Sequence, residues 1–252
     1  VMHALGFDVA YGKEDIPLVK DYGGRFAKWG WDHDAYQFAL AQMDTLKPPF
    51  FVVLLSGTTH SPYADPGKEF HVREHTKNGE NGYMNTLSYS DWGFGEFVKG
   101  AKQRDWYKNT TWIVGADHVY RSDKSQHLRE NFRIPVLMHG PGITPGHRDG
   151  IRSQLDYLPT VMEVCGFGDA YSAFGKSLLG PPNEFALVKR GNVLGAVAPF
   201  GDLSHTLQDR LSVRSLDADA DTSASFDRLE RQLRAVQKVT TTLVAENRWA
   251  RR

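Results

Sequence analysis

The residues best equipped for chemistry are Asp117 and His118, adjacent in "TTWIVGADH", and His60 in "TTHSPY". A carboxylate and an imidazole offer hard oxygen and nitrogen donors, the set that suits a divalent ion in phosphoryl or sulfuryl chemistry. Neighbours within a strand point to opposite faces, but where the chain turns at a strand's exit both can turn toward one ion. An Asp-His pair in isolation is more often a loop cap than a ligand pair, and a lone histidine after a strand is more often a rim residue. Position decides between these readings. Both sites follow β-rich apolar runs, and in open α/β sheets ligands gather at the carboxyl ends of strands, so we expect His60, Asp117 and His118 to meet at one crevice.

The elements that must position them alternate. Residues 32–46 carry apolar positions at helical spacing, with Asp32 as the expected N-cap and Pro48-Pro49 beyond the end. Residues 50–63 open with a continuous apolar run that reads as a buried central strand, and residues 64–81 as a polar loop. A second helix, weakened by glycine, is predicted over 82–104, a second strand over 110–118 and a third over 132–143. A helix over 153–166 follows, with Asp156 expected to cap or anchor it. Beyond Pro181-Pro182 the pattern predicts an antiparallel hairpin, then an amphipathic terminal helix over 226–248. The fold class is therefore α/β, with a mainly parallel central sheet flanked by helices and a small C-terminal antiparallel sheet. His127 is read as a surface residue, and Cys165, in an apolar run, as a buried and inert thiol.

Four blocks carry a resemblance in order and at similar spacing: "KPPFFVVLLSGTTHSPY", "GYMNTLSYSDWGFGEFVKGAKQRDWYKNTTWIVGADH", "RIPVLMHGPGI" and "SQLDYLPTVMEVCG". Together, with "FGKSLLG" after them, they resemble the catalytic ectodomain of lipoteichoic acid synthases and related phosphoglycerol transferases of the alkaline phosphatase and sulfatase superfamily. The resemblance implies that Asp117 and His118 bind a divalent ion, Mn2+ or Mg2+, and that His60 contacts the phosphoglycerol group. It implies a phospholipid or phosphoglycerol donor, a glycan or polyol-phosphate acceptor, and a site on the extracytoplasmic face of the cell membrane. It further implies a threonine nucleophile and a metal-binding glutamate in an upstream segment of the same protein. No catalytic nucleophile is thus expected from Val1 onward, and the 252-residue chain alone is expected to show negligible turnover. Residues 1–180 would be a partial catalytic domain and residues 181–252 a C-terminal subdomain.

Two departures open alternatives. The glycines that usually flank the Asp-His pair are replaced by Ala116 and Val119, which leaves room for a non-catalytic binding domain. A sulfatase would share the ion pair and differ in its nucleophile. A phosphoethanolamine transferase is disfavoured, because such enzymes often carry several disulfides and this chain has one cysteine.

Composition narrows the partners. Lys+Arg and Asp+Glu are equal at 30 each, so no bulk field draws the chain to nucleic acid. With 40% hydrophobic residues it can bury a sizeable core. No run approaches the roughly 18 consecutive apolar residues of a membrane-spanning helix.

Overall fold

A computed structural model describes residues 2–3, 6–17, 30–120 and 127–248. The chain divides between Thr110 and Thr111 into two units.

The first unit is built on two helices, α1 (Asp32–Met43) and α2 (Glu80–Ala101), close to the two predicted. Aromatic contacts join them, with Trp31 edge-on to Tyr89 at 5.2 Å and Tyr36 against Phe97 at 5.3 Å. Leu40, Met43, Tyr89 and Phe97 are buried. The expected cap is corrected: Trp31 occupies the N-cap position, and Asp32 begins the helix with its carboxylate turned to a different task. The expected central strand is also corrected. Residues 50–56 join no sheet among the described residues, and Leu55 is 83% exposed. Apolar β-branched content suits a strand, but a strand forms only where a neighbouring edge takes up its backbone groups.

In the second unit β1 (Trp112–Gly115) pairs antiparallel with β2 (Val136–His139), from Trp112 opposite His139 to Gly115 opposite Val136. Helix α3 (Leu128–Asn131) lies between them in sequence. A short 3-10 turn, Gln154–Asp156, leads into α4 (Tyr157–Val164). Strands β3 (Ala186–Arg190), β4 (Val193–Ala198), β5 (Gly201–His205) and β6 (Arg210–Ser215) form an antiparallel meander in chain order. Helix α5 (Ser223–Ala245) covers it through Phe226, Leu229 and Leu233, whose spacing of three and four puts them on one face against Leu194, Ala196 and Leu203.

The α/β class, the C-terminal antiparallel sheet and the terminal helix agree with expectation, and the sheet is larger than the hairpin predicted. Pairing differs: the expected parallel ladders do not occur among the described residues, where every strand pair is antiparallel. The C-terminal sheet is in contact with the earlier part of its unit, since Leu128 lies over Gly195 and the Arg129 guanidinium donates to the Ala198 carbonyl. Cys165 is exposed rather than buried. It caps α4, which ends at Val164 before another turn could carry the thiol back to an apolar face.

Candidate functional site

His60 sits on a tight loop in the first unit. The Asp32 carboxylate holds that loop, its Oδ1 accepting from Gly57 N at 2.7 Å and Thr58 N at 2.9 Å. Its Oδ2 accepts from the Ser90 hydroxyl at 2.5 Å, and Asp32 N donates in return to Thr58 Oγ1 at 2.9 Å. A buried carboxylate with three donors is a satisfied charge, and its partners are fixed by it. Nearby, burial and then the Asp32 charge push the Tyr36 hydroxyl up to about 12 against the lowering effect of a Ser56 hydrogen bond, so it stays neutral. His60 itself is exposed, with Nδ1 2.5 Å from the Ser61 carbonyl. With Nδ1–H donated there, a contact from Nε2 to an anionic oxygen requires the imidazolium form.

Asp117 and His118, adjacent in sequence, lie just past β1 in the second unit. His118 Nε2 is 3.7 Å from Asp117 Oδ2, with side-chain exposures of 56% and 74%. His118 Nδ1 is 2.8 Å from the Val119 carbonyl, and His118 N donates to Asp117 Oδ1 at 2.8 Å. A ligating histidine usually gives its other N–H to a backbone carbonyl, which fixes the tautomer that leaves one nitrogen for the metal. The pair therefore fits a divalent ion: two donors 3.7 Å apart are within reach of bonds of roughly 2.1 Å each. Neither Ala116 nor Val119 has a positive φ, so the turn has no conformational need for the glycines they replace.

The turn is braced from the 3-10 segment. Gln154 Nε2 donates to the carbonyls of Ala116 at 3.1 Å and Asp117 at 2.7 Å. Gly115 is needed for another reason, since a Cβ there would lie 2.1 Å from the Tyr157 hydroxyl. Asp156 anchors this segment as expected. Its buried carboxylate accepts from Ser153 N at 2.8 Å, Lys176 N at 3.0 Å and Asn183 Nδ2 at 2.7 Å. Gly175 in "FGKSLLG" is explained too, because a Cβ would be 2.0 Å from the Leu155 carbonyl oxygen. His127, read as a surface residue, is exposed before α3.

Sequence reasoning missed three features. Asp32 passed for a helix cap, Gln154 had no motif to mark it, and a third His/carboxylate group went unread in the 64–81 loop. There Asp65, His71 and His75 place one donor atom each within 4.8 Å of one another. Partial burial would raise the Asp65 carboxyl, but the His71 hydrogen bond, the Gly67 N–H and the charges of His71 and His75 outweigh it and hold it below its ordinary value.

Comparison with known proteins agrees with this architecture. The family model described as Sulfatase matches residues 1–167. The lipoteichoic acid synthase-like protein YvgJ of Bacillus subtilis is 26% identical over 215 residues, covering 75% of this chain and 34% of YvgJ. An endo-4-O-sulfatase of Bacteroides thetaiotaomicron is 29% identical over 153 residues, covering 49% of this chain and 30% of that protein. The chain thus spans about a third of the length of these curated relatives. Among solved structures, a protein in the alkaline phosphatase superfamily from Vibrio parahaemolyticus matches with a TM-score of 0.79 at 21% identity, covering 98% of this chain and 62% of that one.

Proposed function

Since the chain belongs to the sulfatase family, we propose that it is part of a metal-dependent phosphoglycerol transferase and supplies Asp117 and His118 to the ion site. One observation carries this reading: the two donors stand side by side at the exit of β1, with the second nitrogen of His118 engaged by the Val119 carbonyl. The likeness to a lipoteichoic acid synthase-like protein supports phosphoglycerol as the transferred group. When bound, Mn2+ or Mg2+ neutralises charge on the transferring phosphoryl group. Asp117 presents its carboxylate and His118 its Nε2. His60 is assigned the phosphoglycerol oxygens, which it steadies through an imidazole N–H on a loop that Asp32 keeps fixed. The donor is a phospholipid or phosphoglycerol lipid, the acceptor a glycan or polyol phosphate, and the reaction takes place at the outer face of the cell membrane. Among the described residues no helix is long and apolar enough to cross a membrane.

A sulfatase is the second reading, favoured by the endo-4-O-sulfatase relative. The two readings part on ligand choice. With the loop donors removed by Asp65→Ala/His71→Ala/His75→Ala, Mn2+ binding followed by paramagnetic relaxation should weaken at least tenfold on adding Asp117→Ala or His118→Ala. The Mn2+-loaded chain should then bind glycerol phosphate more tightly than a sugar 4-O-sulfate, with the imidazole signals of His60 shifting. Tighter binding of the sulfate ester would move the assignment to sulfatase, and Mn2+ binding indifferent to both substitutions would defeat both enzyme readings.

A further inference from the structure

The 64–79 loop is organised around its histidines. Asp65 Oδ1 is 2.6 Å from His71 Nε2 and accepts from Gly67 N at 2.9 Å. The rings of His71 and His75 stack at 5.5 Å with planes 15° apart. A loop of this length would ordinarily sample many arrangements, yet both histidines are pinned from α2. Asn85, wholly buried, takes Val72 N at 2.9 Å and Arg73 N at 3.0 Å on its Oδ1. Its Nδ2 donates to the Arg73 carbonyl at 3.0 Å and lies 3.5 Å from His75 Nδ1. One residue before His71, Phe70 is set edge-on to Tyr89 at 5.1 Å and against Trp92 at 5.2 Å. A buried amide that spends three of its hydrogen bonds on the backbone between two histidines fixes where those side chains start.

We propose that Asp65, His71 and His75 form a binding site for a zinc-type divalent transition ion. The donor set decides the class: two imidazoles and one carboxylate suit Zn2+ and its neighbours, whereas Mg2+ prefers an all-oxygen octahedron. Three protein ligands leave the fourth tetrahedral position to water, consistent with a loop that is partly solvent-exposed. The donors lie within 4.8 Å of one another, and ligation at roughly 2.0–2.1 Å requires them to close to about 3.3 Å. Asp65 and His71 must open slightly from their direct contact. His75 must swing inward, and both changes are side-chain rotations that leave the Asn85-held backbone in place. The ion ties the middle of the loop to its start, and so orders the stretch that follows the His60 turn.

The test is Zn2+ titration of the 252-residue chain, followed by calorimetry and by 15N spectra of the histidine rings. Zn2+ at less than one equivalent should move the ring signals of His71 and His75 before those of other histidines, and one equivalent should raise the melting temperature. Asp65→Ala, His71→Ala and His75→Ala should each weaken that equivalent at least tenfold with native circular dichroism, and the triple substitution should remove it. Asp117→Ala/His118→Ala should leave it intact, which separates this site from the proposed transferase ion pair, and a hundredfold excess of Mg2+ should not displace the Zn2+. First-equivalent Zn2+ that leaves the His71 and His75 signals unmoved, or that binds the triple variant as tightly, would overturn the assignment.

Discussion

The loop that carries His60 and the turn that carries Asp117 and His118 are held by opposite means. A buried, charged acceptor holds the first: the Asp32 carboxylate takes the N–H groups of Gly57 and Thr58. An exposed, neutral donor holds the second: the Gln154 amide reaches the carbonyls of Ala116 and Asp117. Charged hydrogen bonds in a buried site are strong, and their loss strands desolvated groups, while solvent can replace an exposed amide. The first loop is therefore fixed as part of its unit's core. The second is adjustable, which would suit the proposed role of Asp117 and His118 in closing on an ion.

The sharpest way to break that contrast is at Asp32. Asp32→Ala leaves the Gly57 and Thr58 N–H groups without their acceptor, and about 3 kcal/mol of stability should be lost. Asp32→Asn keeps one acceptor oxygen and should lose roughly half as much. Urea unfolding followed by tryptophan fluorescence measures both, and an Ala variant within about 0.5 kcal/mol of the native chain would show that the loop stands without its anchor.

Asp32 also shows where sequence reading reached its limit. Helices α1, α2, α4 and α5 were legible because apolar residues recur at helical spacing over a turn or more, and β1 and β2 because short apolar runs stop at Gly or His. Asp117 and His118 were legible as neighbours in one short motif. An acid before an amphipathic helix reads as a cap whether its carboxylate bonds its own helix or, as here, a loop 25 residues away. Asp65, His71 and His75 stand six and four residues apart in a loop with no periodicity, and the Asn85 bonds together with the direct Asp65–His71 contact place them together. The 50–56 run was misread for the converse reason: its composition suits a strand, but strand pairing is a property of neighbours, and composition does not name them.

An intermediate effect should come from the floor of the second turn. Gly115→Ala drives a methyl into the Tyr157 hydroxyl 2.1 Å away, so Tyr157 must shift from a site where burial already raises its pKa. Overpacking of this kind costs about 1–3 kcal/mol. The melting temperature of the second unit should fall, and removing the ring in Gly115→Ala/Tyr157→Leu should restore much of it. A double variant no more stable than Gly115→Ala would place the strain elsewhere.

The smallest change in stability should come with a clear change in binding, and it tests the contrast most directly. Gln154→Ala removes two exposed hydrogen bonds, so unfolding free energy should move by less than about 1 kcal/mol. The Asp117 and His118 donors lose the brace behind them, and Mn2+ affinity should fall about tenfold, the lower end of what outer-shell partners contribute. The measurement belongs in the Asp65→Ala/His71→Ala/His75→Ala background, where the loop cluster cannot add its own binding. Gln154→Glu should lose at least as much affinity, because a carboxylate facing the Ala116 and Asp117 carbonyls repels what the amide attracted. If both variants bind Mn2+ as the parent does, the turn is held by its own bonds from His118 to Val119 and Asp117. The adjustable brace would then be dispensable, and the second turn would be as self-sufficient as the first is dependent on Asp32.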